Sequence, residues 1–334
     1  MKTMNNIKAI FHKQITLFVL LLIAVLGCNS LVQAAPGAYP DRPIKLLLGF
    51  PPGGGSDIVA RLIAKSLGER LGVPVVVDNR PGAGGNIAAE IASKASPDGY
   101  TLLFMASAHA TNAAIKKSQV FDPINDFSWI GLVTTYPLAM SVAPNSEFKS
   151  FAEFMKLAKA NPDKYSYSSV GVGSAMHLFG EWMFSELGLT VKHIPFKGGT
   201  APYTELAAGR VDLMIDTMTY SLALLKDAQV RIIATSAPKG RSPVMGVPTV
   251  SEFAPGVVYE SWLGISGPPG MSKNMVDTLN AELKEVVNLP DVKQKLIEFG
   301  GTPQTVSPAQ FRGRVEQDIV NFKKIVATNH INLE

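Results

Sequence analysis

Short apolar runs that end in glycine-rich turns alternate with stretches of helical period along most of this chain. The run at 43–48 is too short for a buried helix and reads as a strand. It ends in Gly49-Phe50-Pro51-Pro52-Gly53-Gly54-Gly55-Ser56, and apolar positions at helical spacing follow over 58–67. The device repeats. A strand at 73–78 leads through the glycine-rich loop 79–86 into a helix at 87–92, and a strand at 101–105 precedes a polar segment at 107–112. Three strand–loop–helix units in succession predict an open, mostly parallel α/β sheet, in which ligands bind beyond the carboxyl ends of the strands.

Residues 127–142 form one long extended stretch, and the alternation then restarts. Helices are predicted over 150–160, 175–187 and up to 206, with strands at 165–169, 191–196, 211–216 and 230–235. A second extended stretch at 259–268 leads into helices at 275–288, 291–299 and 308–327. Two extended crossings predict two lobes joined by a two-stranded hinge, the first lobe discontinuous. The expected division is a leader at 1–34, a first lobe at 35–136, a second lobe at 137–259 and a return segment at 260–334. A chain of 334 residues suits two cores better than one.

The formal charge of +4 changes little, because Lys2, Lys8 and Lys13 lie in a stretch of 34 residues without Asp or Glu. The remainder carries 28 basic and 27 acidic residues and has no basic stripe, which removes the main support for a nucleic-acid role. Those lysines precede an apolar run of about 12 residues and then Val32-Gln33-Ala34, the pattern of a secretory signal peptide cleaved before Ala35. Val25-Leu26-Gly27-Cys28 offers a second processing reading, a lipidated Cys28. Cys28 is the only cysteine, so the folded part has no disulfide. Export to the periplasm is expected on either reading.

The glycine loops place helix N-termini at strand ends, a geometry that suits an anion. The first loop is not a nucleotide P-loop, since Gly55 stands where lysine is needed, and Ile87 breaks a dinucleotide fingerprint at 82–87. No nucleophile elbow, metal-spaced histidine pair or marked pair of carboxylates is present. His193 and His330 read as structural. His109 and His177 follow strand ends, where a pocket role and a structural one fit equally. Asp57 sits at a helix start as a cap, and Lys197 is either an anion contact or a solvated loop lysine.

Residues 39–44, 52–57 with Ala60-Arg61, 76–85, 98–103, 171–178, 196–199, 209–212 and 247–250 together resemble the Bug (TctC-type) solute-binding proteins, in collinear order over essentially the whole mature chain. The resemblance implies a type II periplasmic-binding-protein fold, a two-lobed Venus flytrap with two crossover strands. It also implies a monomeric receptor that takes a small organic carboxylate and delivers it to the membrane permease of a tripartite tricarboxylate-type transporter. The expected ligand-binding set on the first lobe is Phe50, Pro52, Gly53, Gly54, Gly55, Ser56 and Asp57, then Gly84, Gly85 and Asn86, with Ser107 and His109. On the second lobe it is Ser169, Val170, Gly173, Ser174 and His177, then Lys197, Gly198, Gly199, Thr200 and Asp216. No catalytic residue, metal or cofactor is expected. Phe196 stands where the family commonly has Tyr, and His109 lies in a variable ligand-facing loop, which leaves the identity of the acid open. A sensing adaptor for a membrane signalling partner shares this fold and site. A secreted α/β hydrolase would need a Ser–His–acid set, and Ser174 and His177 are too close on one helical turn to form one.

Overall fold

The computed structural model describes residues 39–115, 120–197 and 199–328. The leader, Cys28, Gly198 and His330 lie outside them. Strands β1 (Ile44–Leu48), β2 (Val75–Asn79) and β3 (Thr101–Ala106) form a parallel set in the order β2-β1-β3. Each leads into a helix: α1 (Gly55–Leu71), α2 (Asn86–Ser93, behind a short 3-10 turn) and α3 (Ala108–Ile115). Helix α1 begins three residues before its predicted start. Asp57 on its first turn accepts the Gly53 N–H at 3.0 Å, and an acidic side chain there also suits the helix dipole. The segment read as merely polar after β3 is helical. The Ser107 carbonyl accepts the N–H groups of Ala110 and Thr111, while Asn112 donates to the Gly84 carbonyl at 2.9 Å.

The long strand β4 (Ser128–Val142) is buried along nearly its whole length, which is why its sequence is an apolar run without alternation. It pairs antiparallel with β9 (Glu260–Gly267) up to Pro137 and then with β7 (Leu213–Thr217) from Leu138. One strand of 15 residues, about 50 Å at strand rise, thus belongs to two sheets. The second sheet adds β5 (Ser166–Ser169) and β6 (Lys192–Pro195), parallel to each other, with β5 also parallel to β7. Strand β8 (Arg231–Thr235) completes it, antiparallel to β4. Both sheets are therefore mixed where a mostly parallel arrangement was predicted, because the crossing strands run against the βα units beside them.

Helices α4 (Phe151–Ala160), α5 (Ala175–Leu187), α6 (Ala201–Ala207) and α7 (Met218–Lys226) accompany the second sheet. The pattern missed α7, which follows β7 with no glycine or proline to punctuate the change. After β9 come α8 (Lys273–Asn288), α9 (Pro290–Glu298), the two-residue strand β10 (Thr302–Pro303), which pairs with β4, and α10 (Pro308–Thr328). Separate apolar cores lie on the two sheets. Trp129, Trp262 and Phe311 anchor the first, and Phe148, Phe154 and Tyr167 the second.

Candidate functional site

Several strand ends and helix starts meet at one partly open cavity. Gly55 and Ser56 of α1, Ala108 of α3, and Ala175 and Met176 of α5 line it. All are first-turn residues, whose N–H groups have no acceptor within their own helix. Thr217, the cap of α7, lines it too; its hydroxyl accepts the Tyr220 N–H at 3.3 Å. Ser174 caps α5 in the same way, accepting the His177 N–H at 3.2 Å. Four helix N-termini, each the positive end of a backbone dipole, therefore surround one space.

The floor comes from the crossing strands. Tyr136 of β4 and Ser261 of β9 are register partners, and both line the cavity. The Ser261 and Ser107 hydroxyls lie 2.6 Å apart. Burial pushes the Tyr136 phenol up to about 12, the neighbouring Ser261 and Ser56 hydroxyls opposing in part, so it keeps its proton and remains a donor. Among the described lining residues there is no Lys, Arg or His, and Asp216 is the only carboxyl group. Burial raises Asp216 to about 7, against the opposing hydrogen bond from the Thr217 N–H at 2.6 Å. The wall thus offers hydroxyls and backbone donors to an anion, and one carboxyl that is half protonated near neutrality.

Of the residues expected from the sequence, Phe50, Gly54, Gly55, Ser56, Ser107, Val170, Ser174, Gly199 and Asp216 line this cavity. Gly84, Gly85, Asn86 and His109 line a smaller neighbour. His109 departs from the wall predicted for it. Its ring is buried against Phe121 and Phe127, and Nε2 lies 2.7 Å from the Pro123 carbonyl oxygen. Asp57 is committed elsewhere. Its carboxylate takes the Gly53 N–H, Arg61 at 2.9 Å and the Asn79 amide at 2.9 Å. Burial alone would raise it, but these bonds outweigh burial and hold it below the usual carboxylate range.

Ser169, Gly173 and His177 stand behind the cavity as support. His177 Nδ1 accepts the Gly173 N–H at 3.0 Å, and Ser169 Oγ meets His193 Nε2 at 2.7 Å. The two imidazoles stack with centroids 4.0 Å apart. Pro52, Gly53, Lys197 and Thr200 are exposed and do not line the cavity. The sequence reading missed Pro51, Ala106, Ala108, Tyr136, Ala175, Met176, Thr217, Tyr220 and Ser261. Nothing in the sequence separates Tyr136 and Ser261 from Thr134, Thr135 and Ser266, polar residues of the same two strands that do not line the cavity.

Residues 59–332 match the family described as tripartite tricarboxylate transporter family receptor. The chain belongs to this family. Among solved structures it is similar to the periplasmic binding protein BugD, with 30% identity and a TM-score of 0.82, covering 88% of this chain and 99% of that one. It is also similar to Rpa4515 of R. palustris with adipate, at 32% identity and a TM-score of 0.84 over 88% and 99% of the two chains. A third is MatC (Rpa3494) of Rhodopseudomonas palustris with bound malate, at 27% identity and a TM-score of 0.80 over 86% and 100%. These likenesses establish the two-lobed type II binding-protein fold. The family is one of substrate receptors, not of enzymes. No helix among the described residues is long and apolar enough to cross a membrane.

Proposed function

We propose that this chain is a periplasmic receptor that closes its two lobes around a small organic carboxylate and presents it to the membrane permease of a tripartite tricarboxylate-type transporter. The observation that carries the reading is the meeting of four helix N-termini at a cavity with no cationic side chain among its described walls. Backbone donors and dipole ends favour a carboxylate by charge and geometry, and the neutral Tyr136 and serine hydroxyls supply further donors. Binding by such groups avoids burying a lysine or arginine that the empty receptor would leave unpaired. Malate and adipate in two similar receptors support a small mono- or dicarboxylate as the ligand class.

The basic, apolar and small-residue pattern of 1–34 supports export and cleavage before Ala35, with lipidation at Cys28 as the other processing route. Pro51 and Gly199 both line the cavity, and a Cβ built on Gly199 would stand 3.8 Å from the Pro51 Cβ. Isothermal calorimetry of the mature chain with succinate, malate and adipate tests the reading. Saturable binding of at least one acid, with a rise in melting temperature, is expected. A folded protein that binds no acid across a broad carboxylate panel overturns it.

A further inference from the structure

Beside the main cavity lies a second, smaller one between the β2–α2 loop and strand β3. The two cavities share Phe50, Ala106 and Ala108 as lining residues. Two of those three are alanines, so the Phe50 ring is the bulky group common to both. Its edge lies over Gly85: a Cβ built on Gly85 would stand 3.6 Å from Phe50 Cε2 and 3.7 Å from Cζ.

The Phe50 backbone is pinned from behind. Its carbonyl accepts the Asn79 amide at 3.0 Å, and that same amide donates to Asp57 Oδ1 at 2.9 Å. The neighbouring Gly49 presses on the next loop so closely that a Cβ there would fall 2.5 Å from the Gly85 Cα. The far loop is held as well, since Asn112 donates to the Gly84 carbonyl at 2.9 Å and to Asn86 Oδ1 at 3.1 Å. The half-buried ring is therefore the part of this partition that a substitution removes while those backbone contacts stay in place. Beyond it the small cavity presents Leu103, Met105 and Ala89, a lining suited to methylene groups, and its one histidine, His109, is engaged with Pro123.

We propose that Phe50 is a specificity-determining residue that sets the chain length of the acid this receptor accepts. With the ring in place the ligand is confined to the main cavity. With the ring removed, the two spaces join and admit the polymethylene chain of a longer α,ω-diacid. This deepens the carboxylate-receptor reading and rests on it.

The test is calorimetric titration of the mature wild type, Phe50→Ala and Phe50→Leu with succinate, adipate, suberate and sebacate, each variant first shown to melt cooperatively. Phe50→Ala is expected to shift the affinity ratio of sebacate to adipate by about tenfold or more, as burial of about two further methylenes implies, with Phe50→Leu between. A crystal of Phe50→Ala with sebacate is expected to show the chain against Ala89 and Met105. A folded Phe50→Ala that binds adipate with the wild-type chain-length profile overturns this proposal while leaving the receptor reading intact. Failure of every diacid to bind the wild type also overturns this proposal, and only failure across the broad carboxylate panel overturns the receptor reading with it.

Discussion

Asp216 is the residue on which the chemistry of the cavity turns. It stands one residue before the end of a buried strand, shares the cavity wall with Tyr136 and Tyr220, and has the Thr217 N–H on one oxygen. Its value in the folded chain, about 7, lies above the ordinary 3.8, so between those values the native state holds a proton that the unfolded state has released. Its contribution to stability is therefore complete below about 4 and lost as pH rises through about 7. Asp216→Asn is expected to raise the melting temperature of the ligand-free protein at pH 8 and to leave it unchanged near pH 4. Wild-type affinity for a diacid is expected to fall as pH rises through about 7, because two carboxylates then face one another, and Asp216→Asn should flatten that dependence. An unchanged pH profile in a calorimetric series with the variant would place the titrating group elsewhere. The sequence showed Asp216 at a strand end but not its burial, which comes from the β4 and β7 pairing across 77 or so intervening residues of chain. The burial of His109 was hidden for the same reason. Its place after a strand was legible, while the aromatic cluster that encloses it is assembled from Phe121, Phe127 and Trp129 beyond the next loop.

At the scale of elements, the fold was most legible where glycine and proline punctuate the chain. The starts of α5 and α6 and the crossing strands β4 and β9 follow from local pattern, because turn chemistry and apolar run length fix them. Helices α3 and α7 were hidden because their polar residues are satisfied by distant partners, as Asn112 is by Gly84 and Thr219 by the Phe299 carbonyl. How helix starts approach one another across the cavity was also invisible in the sequence. Gly55, at the head of α1, meets the cap of α7: a Cβ there would stand against Thr217 Oγ1, and 3.4 Å from the Thr219 Cβ. Backbone strain is not the reason for glycine at this point; close approach is. Gly55→Ala is expected to push α1 away from α7, cost about 1–3 kcal/mol by overpacking, and weaken carboxylate binding together with it. Chemical denaturation and ligand titration of the same variant measure both effects. Wild-type affinity in a stable Gly55→Ala chain would show that the two helix heads need not close on the ligand.

Across the whole molecule, buried titratable groups pull stability in opposite directions with pH. His109 and His177 are lowered to about 4 and His193 to about 3, burial being the main cause in each, with the neighbouring His177 adding to the effect on His193. Beside the stacked pair Glu181, raised by burial, takes a hydrogen bond from the Tyr167 phenol at 2.7 Å and lies 4.0 Å from His177 Nε2. An unfolded histidine titrates near 6.5, so from that value downward the unfolded chain takes up protons that the native chain refuses. Stability from these histidines is present above 6.5 and lost as pH falls toward 3 to 4. Asp216, Glu181 and Asp318, each raised by burial, work against them, so the slope between pH 4 and 6.5 is the balance of the two sets. His177→Asn keeps an acceptor within reach of the Gly173 N–H while removing one titrating ring. It is expected to reduce the slope near pH 5 by about one proton, roughly 1.4 kcal/mol per unit, with little change at pH 8. Urea denaturation at fixed pH steps reads the slope directly, and a slope identical to wild type would mean that His177 is already protonated in the folded chain. Because the same His177 holds the Gly173 loop that leads into α5, an acid-induced loosening would begin at the second-lobe wall of the cavity, and ligand release at low pH should precede global unfolding.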